Sequence, residues 1–261
     1  MSSPTPALSP TEFRNFASML REICGIELRD GKEPLVHSRV GKRLRQLNLT
    51  SFSTYLQIVK TDEAELSRLV DILTTNKTSF FRENDHIDIF ATTFVEGATG
   101  PLRIWSAGCS TGQEPYSLSM KIRAIQKGLD YRILATDLST EVLARARSGS
   151  YSEQEVGSVP DNYRRMFFRR DGDRFQVSQE LQAPIRFARL NLLGPWPMKG
   201  PFDAIFCRNV MIYFSQETRA RLARRYAQLL RPGGYLFIGM SESLTSLDQP
   251  LEYISPAVYR R

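Results

Sequence analysis

The chain has 261 residues, of which 41% are hydrophobic and 24% are charged. This composition is typical of a soluble globular protein with room for one large or two small domains. The chain contains no apolar run of about 18 residues, and its first residues do not resemble a signal peptide, so we expect a cytoplasmic protein without a membrane span. The net charge of +7 favours an acidic partner, either nucleic acid or an acidic protein surface.

The cysteines exclude two further classes of protein. Cys24, Cys109 and Cys207 are odd in number and widely scattered, and they form no C-x-x-C pair. This spacing argues against both a disulfide framework and a zinc site. We therefore expect reducing surroundings and predict that the protein holds no metal.

The first third of the chain predicts a small helical domain. Ser9 and Glu12 form a capping box before a helix that Gly25 ends. Apolar spacing predicts three more helices, over residues 34–47, 52–60 and 63–73. A linker at 97–101, rich in glycine and ending in proline, follows them, so we place an all-α domain at residues 1–95 and a second domain at 96–261.

Strands and helices alternate after the linker. The predicted strands cover residues 102–105, 131–136, 185–190, 202–207 and 235–239, with helices after the first, second and fourth, the last of them over 216–230. This order predicts an α/β fold with a doubly wound, Rossmann-like parallel sheet. Asp171-Gly172 lies between two alternating segments, which predicts a small antiparallel insertion near 163–183.

The turn after the first predicted strand is typical of a ligand-holding loop. Gly108 and Gly112 permit positive φ and close approach of a ligand to the backbone. The glycine spacing lacks the G-x-G-x-x-G pattern that a pyrophosphate needs. Glu114 would repel a phosphate but would suit a cationic ligand such as S-adenosylmethionine. The alternative is a purely structural turn in which Glu114 complements the helix dipole.

Polar residues follow the other strands at their carboxyl ends, where an open α/β sheet binds ligands. Asp137 ends the second strand, at about the distance from Gly112 expected of an acid that binds ribose hydroxyls. Its alternative role is to cap the next helix, although Ser139 is available for that. Asn191, Arg208 and Asn209 follow the third and fourth strands, and asparagine is also common in turns for local reasons.

Together these residues resemble the CheR family, the chemoreceptor glutamate O-methyltransferases. The segments that carry the resemblance are residues 75–82, 105–117, 135–137, 191–193 and 206–214. They occur in order and span most of the chain. The family usually has Gly-Glu-Glu-Pro where this chain has Gln113 before Glu114, and the retained Glu114 is the residue carried over.

The resemblance implies S-adenosylmethionine-dependent methylation of receptor glutamates, with S-adenosylhomocysteine as the product and a small β-subdomain in the methyltransferase domain. The cofactor residues that it implies, together with Gly108 of the turn, are Asn76, Thr78, Arg82, Gly108, Glu114, Asp137, Asn191, Leu192, Arg208 and Asn209. Arg82 and Tyr213 would face the substrate carboxylate as the catalytic pair. The alternatives are a surface ion pair of Arg82 with Glu83 or Asp85, and a core role for Tyr213.

The basic helix has a role by the same resemblance. Arg39, Lys42, Arg43 and Arg45 would dock the acidic methylation helices of a receptor, and the alternative is a solvated helix face. We expect no nucleic-acid partner, no membrane insertion and a monomer. The arginines of the last long helix, Arg225 among them, are predicted to be solvated.

The insertion offers a further contrast with the family. Some members use this β-subdomain to grip a pentapeptide at the receptor's C-terminus, but the turn here is short and lacks the longer glycine-bearing loop. We therefore predict independence of that peptide. Two other functions remain open: a methyltransferase for RNA or a small molecule, and a cofactor-binding adaptor without catalysis.

Overall fold

The computed structural model describes residues 6–28, 30–74 and 77–261. The chain forms two compact units, Met1–Thr75 with Tyr213–Ser215 and Asn76–Ile212 with Gln216–Arg261. The first boundary thus lies earlier than residue 95, where the sequence predicted it. The reason is that residues 84–95 pack into the core of the second unit, where Ile87, Phe90 and Phe94 are buried against sheet residues.

The helical unit contains four helices, α1 (Pro10–Cys24), α2 (Glu33–Gln46), α3 (Phe52–Thr61) and α4 (Glu63–Leu73). The capping box at the start of α1 is confirmed, because Ser9 accepts a hydrogen bond from the Glu12 backbone and the Glu12 side chain accepts one from the Ser9 backbone. Gly25 ends the helix at φ 72°, as predicted. The inward faces bury Phe16, Val40 and Phe52.

An ion pair fixes α2 to α4. Arg43 Nε and Nη2 donate to the Glu65 carboxylate at 2.8 and 2.7 Å, and the Tyr55 hydroxyl donates to the same carboxylate at 2.8 Å. The hydrogen bonds from Arg43 lower the pKa of Glu65 although burial opposes this. Arg39 also donates to the Ile72 and Thr74 carbonyls. Two of the predicted docking residues, Arg39 and Arg43, therefore make hydrogen bonds within the helical unit itself. Lys42 and Arg45 are exposed.

The second unit is built on a seven-stranded sheet. Its strands are β1 (Leu102–Ala107), β2 (Tyr131–Asp137), β6 (Ile185–Arg189), β7 (Phe202–Cys207), β8 (Leu230–Ile238), β9 (Glu252–Ser255) and β10 (Val258–Arg260). Their order in the sheet is β6-β2-β1-β7-β8-β10-β9. The five predicted strands are confirmed, and they pair in parallel. The antiparallel strands β9 and β10 were not predicted, because Ala257 makes their turn at φ 61° without glycine or asparagine.

Helices cover both faces of this sheet, as a doubly wound fold requires. On one face, Ile104 and Phe206 pack with residues of α5 (Asn84–Phe90) and α6 (Gln113–Ile125). A π-helical turn, Ala91–Val95, continues α5. On the other face, Trp105 packs edge-on against Tyr226 of α11 (Gln216–Leu229), with ring centroids 5.2 Å apart. Helix α7 (Thr140–Ser148) follows β2.

The predicted antiparallel insertion is confirmed and is larger than a hairpin. Strands β3 (Ser150–Ser152), β4 (Phe168–Asp171) and β5 (Arg174–Val177) form a three-stranded sheet of order β3-β5-β4. The turn between β4 and β5 contains Gly172 at φ 60°. Three short helices accompany these strands along the chain. Between β3 and β4 lie α8 (Glu153–Val156) and α9 (Asp161–Phe167), and after β5 comes α10 (Gln179–Gln182). Within the described ranges, no helix is both long and apolar enough to cross a membrane.

Replacing Glu65 with glutamine should lower the free energy of unfolding by about 2–3 kcal/mol at neutral pH, because Arg43 would keep a half-buried charge without its carboxylate. A lowered pKa gives stability that is present above the pKa of the unfolded chain and is lost as the pH falls through the folded-state pKa. The difference between the two proteins should therefore shrink in acid. Urea unfolding of the two proteins, at neutral pH and in acid, measures this difference in the free energy of unfolding.

The matched control for this change is Glu63→Gln, since Glu63 is exposed in the first turn of the same helix. It should lower the free energy of unfolding by only about 0.3–1 kcal/mol, through the lost interaction with the helix dipole. Equal losses in the two variants would show that the ion pair contributes nothing beyond an ordinary helical charge.

Candidate active site

The turn between β1 and α6 has a backbone that requires glycine. Gly108 has φ 92° and Gly112 has φ 94°, and a Cβ atom at Gly108 would overlap the Val210 side chain. The backbone N–H groups of Gly108 and Cys109 both donate to the Thr136 carbonyl, at 2.7 and 2.9 Å. The turn is therefore tied to the carboxyl end of β2.

Asp137 joins this turn to the neighbouring one. Its two carboxylate oxygens accept from the backbone N–H groups of Ser110 at 2.8 Å and Ser139 at 3.0 Å. The cap of α7 is the Ser139 hydroxyl, which accepts from Val142, so Asp137 is not needed for capping. An ionised carboxylate only accepts hydrogen bonds, and a ligand hydroxyl is a suitable donor to it.

A buried arginine organises the centre of the site. The Arg208 side chain is 2% exposed and lies between two carboxylates, with Nη1 at 3.3 Å from Glu114 and Nη2 at 3.2 Å from Glu83. Nη2 also donates to the Arg82 carbonyl. Arg208 Nε is buried with no hydrogen-bond partner among the described residues, which is unusual for a charged group.

The two carboxylates beside Arg208 differ in their pKa. Burial raises the pKa of Glu114, against the effects of Arg208 and of the Ser106 hydroxyl, which donates to it at 2.7 Å. Burial also disfavours ionisation of Glu83, but Arg208 and hydrogen bonds from Asn209 and Met240 lower the pKa of that carboxyl. Glu114 is 15% exposed. Because the pKa of Glu114 is raised and that of Glu83 is lowered, Glu114 is the carboxylate whose charge a cationic ligand would stabilise most.

Asn209 is held by two carboxylates that the sequence analysis did not assign to the site. It has φ 59°, its side-chain amide donates to Glu83 at 3.2 Å, and its backbone N–H donates to Glu242 at 3.1 Å. Glu242 also accepts from the backbone N–H groups of Gly239 at 2.6 Å and Ile212 at 3.0 Å. Glu242 thus ties together the loops that follow β7 and β8.

One signal for Glu242 was present in the sequence. It lies three residues after the predicted strand 235–239, at the same sheet edge as Asp137 and Asn191. The rule that singled out those residues would also have found Glu242. The same rule does not find Glu83, which precedes all of the predicted strands and was considered only as an ion-pair partner of Arg82.

Arg82 lies beside this network but is 38% exposed. Its Nη1 donates to the Lys77 carbonyl at 2.9 Å, and its Nε is 3.9 Å from Glu83, so the ion pair considered for it forms at long distance. Thr78 is half-buried, and Asn76 lies outside the described residues. The Tyr213 carbonyl accepts from the Glu27 backbone at 3.0 Å within the helical unit. The pairing of Tyr213 with Arg82 stays a prediction.

The loop after β6 reaches the same sheet edge. The Leu190 backbone N–H donates to the Asp137 carbonyl at 2.9 Å. Asn191 Oδ1 accepts from Leu193 at 3.0 Å, a local turn bond of the kind that asparagine commonly makes. Leu192 is buried.

The structure therefore brings most of the predicted cofactor residues to the carboxyl ends of β1, β2, β6 and β7. Two carboxylates, a buried guanidinium and a glycine turn suit a ligand with a cationic group and hydroxyls. The described part of the chain contains no cluster of three or more His, Cys, Asp or Glu side chains that could hold a metal ion.

Replacing Glu242 with glutamine should lower the free energy of unfolding by about 1–3 kcal/mol, because the amide NH₂ would face one or more of the backbone N–H groups that the carboxylate now accepts from. Hydrogen exchange at the Gly239 amide should become faster in the same variant. The control is Glu252→Gln, since Glu252 is exposed and pairs only at the surface with Arg260. A glutamine variant as stable as the parent would contradict this account of the loop.

Two family models match the chain. "CheR methyltransferase, all-alpha domain" covers residues 11–74, and "CheR methyltransferase, SAM binding domain" covers residues 76–259. The chemotaxis protein methyltransferase of Escherichia coli (strain K12) is 40% identical and aligns with 97% of this chain and 91% of its own length. Chemotaxis protein methyltransferase 2 of Pseudomonas aeruginosa is 37% identical, with 99% and 98% covered. The chain therefore belongs to the CheR family of S-adenosylmethionine-dependent methyltransferases.

Proposed function

We propose that this enzyme methylates glutamate side chains of bacterial chemoreceptors and so forms glutamyl γ-methyl esters in chemotaxis adaptation. The observation that carries the proposal is the buried network of Glu114 and Arg208 at the carboxyl edge of the sheet. We also infer that the enzyme acts in the cytoplasm, as a monomer, on receptor methylation helices.

The residues at this edge fit S-adenosylmethionine. Glu114 would accept from the ammonium of the methionyl part, and its raised pKa would fall as that cation binds. Asp137 would accept from the ribose hydroxyls, and the backbone of Gly108, whose missing Cβ makes space for the Val210 side chain, would line the pocket. Thr78, Asn191, Leu192, Arg208 and Asn209 would complete the pocket together with Asn76. The cofactor supplies a methyl group on a positively charged sulfur, and S-adenosylhomocysteine is the product.

The substrate carboxylate needs no general base. A glutamate has a reference pKa near ~4.3 and is therefore already an anion at neutral pH. The two histidines do not contradict this, since His37 packs against Phe52 in the helical unit and burial lowers the pKa of His86. The remaining task is to align the carboxylate and to remove water from it, which accounts for up to ~7–11 kcal/mol of a barrier.

Arg82 is the residue that we assign to holding the substrate. Its guanidinium is partly exposed, and only Nη1 is used in the hydrogen bond to the Lys77 carbonyl among the described residues, so further N–H donors can meet a carboxylate. We assign to Tyr213 the completion of this orientation through its hydroxyl.

The acidic partner is proposed to dock on α2 through Lys42 and Arg45, which are exposed. Arg43 contributes less, because Glu65 already neutralises it. An acidic protein helix is favoured over nucleic acid, since the sequence lacks an evident basic stretch interleaved with aromatic residues.

The direct test is transfer of radiolabelled methyl from S-adenosylmethionine to receptor-containing membranes, followed by alkali. Esters release volatile methanol under alkali, so label should be released with the parent protein. Arg82→Ala should abolish transfer, because it removes the contact that we assign to the substrate carboxylate. Its dissociation constant for S-adenosylhomocysteine should stay within about three-fold of that of the parent. Arg132→Ala, which removes an exposed pair with Asp130, is the matched control and should retain activity.

Three results would overturn parts of this proposal. Label that survives alkali, or that appears in RNA, would show that the substrate class is wrong. Cofactor binding without any transfer would favour an adaptor. Full activity of Arg82→Ala would remove that residue from the catalytic site.

A second prediction concerns the small sheet. Its β4–β5 turn pairs Asp171 with Arg174 and offers only Gly172 and Asp173 between the strands. We propose that this short turn does not grip a receptor tail, so a tail-derived pentapeptide should bind no better than a scrambled one in calorimetry. A dissociation constant in the micromolar range would contradict this.

A further inference from the structure

The loop after β6 is a tight turn with two carbonyls that need donors. The Gly194 backbone N–H donates to the Asn191 carbonyl at 3.0 Å, which closes the turn. The Leu192 and Gly194 carbonyls accept instead from a side chain of another element, Arg225 of α11. Hydrogen bonds within the turn and hydrogen bonds from α11 therefore both fix its conformation.

Arg225 binds this turn at two points. Nη1 donates to the Leu192 carbonyl at 2.7 Å and Nη2 donates to the Gly194 carbonyl at 2.8 Å. The guanidinium also lies 3.7 Å from the centre of the Trp196 ring, and Trp196 Nε1 donates to the same Leu192 carbonyl at 3.1 Å. The sequence analysis predicted a solvated side chain here, which is wrong, because Arg225 is half-buried between the turn and an aromatic ring.

The aromatic ring is itself fixed to the core. Trp196 packs edge-on against Trp105 of β1, with ring centroids 4.8 Å apart. It also packs against Tyr226 of α11 in a tilted arrangement, with ring centroids 5.0 Å apart. Arg225 forms no ion pair with a carboxylate of the described residues, and burial lowers its pKa. A desolvated cation without a counter-charge is costly, so its hydrogen bonds to the turn are what hold it there.

We propose that Arg225 is a positioning residue for the cofactor, which presets the 191–194 turn so that Asn191 and Leu192 meet the nucleoside end of S-adenosylmethionine. The turn begins beside Asp137, the acid assigned to ribose, since the Leu190 backbone donates to the Asp137 carbonyl. A turn that is already ordered does not lose conformational freedom on binding. The inference rests on the assignment of Asn191 and Leu192 to the cofactor site.

The test is calorimetry of S-adenosylhomocysteine binding to the full chain, together with steady-state kinetics. Arg225→Met should raise the dissociation constant roughly ten-fold and raise KM for S-adenosylmethionine, with kcat within about two-fold. Arg225→Lys should also lose affinity, because an ammonium cannot span two carbonyls while stacking on a ring. Hydrogen exchange over residues 191–196 should become faster in both variants.

Two comparison variants separate the possible causes. Arg224→Met changes the neighbouring residue of the same helix, whose guanidinium binds Asp248 at the surface, and it should bind like the parent. Asn191→Ala reports on the site assignment itself and should weaken binding.

The outcomes are distinguishable. Weaker binding in Asn191→Ala with parental binding in Arg225→Met would overturn this inference alone. Parental binding in Asn191→Ala would overturn the site assignment and the inference with it. A fall in kcat at unchanged KM, or equal losses in Arg225→Met and Arg224→Met, would also overturn it. If Arg225→Met does not fold, Arg225→Lys decides.

Discussion

The site depends on the burial of one positive charge. Arg208 is almost wholly removed from water, and such a charge is stable only with compensating partners. Glu83 and Glu114 supply opposite charge from two separate segments, and the Arg82 carbonyl supplies another acceptor. The arginine therefore fixes the segment before α5, the start of α6 and the end of β7 relative to one another. Loss of both carboxylates would leave the buried guanidinium without a counter-charge, at a cost of about 3–5 kcal/mol.

The same region contains most of the unusual backbone of this unit. Phe81, Glu83, Ser110 and Asn209 all have positive φ without being glycine. Each such residue costs of order 1–3 kcal/mol, and it persists only where its surroundings determine the conformation. Here carboxylates do so: Asp137 accepts from the Ser110 backbone, and Glu242 accepts from the Asn209 backbone. Acidic side chains therefore act at this edge both as charges and as acceptors that shape the loops.

The regular elements were predictable because their determinants are local. Capping residues and apolar spacing identified α1 and the five parallel strands, since both depend on neighbours in sequence. The hairpin of β9 and β10 was missed because Ala257 has a positive φ, a conformation that alanine does not predict. Glu83 and Arg225 were missed for a different reason, because their partners lie far away in sequence. Glu83 accepts from the Arg208 and Asn209 side chains, and Arg225 donates to the Leu192 and Gly194 carbonyls. Glu242 could have been found from its place just after a predicted strand.

The order of the strands has a consequence for how the sheet is completed. Strand β10 lies between β8 and β9, yet it follows both of them in the chain. During synthesis, β8 must therefore keep an open edge, with unpaired N–H and C=O groups, until the last of these strands has left the ribosome. The loop that follows β8 contains Gly239 and Glu242, so the site cannot be fully supported before then. Exposure of this edge to other chains is greatest in that interval.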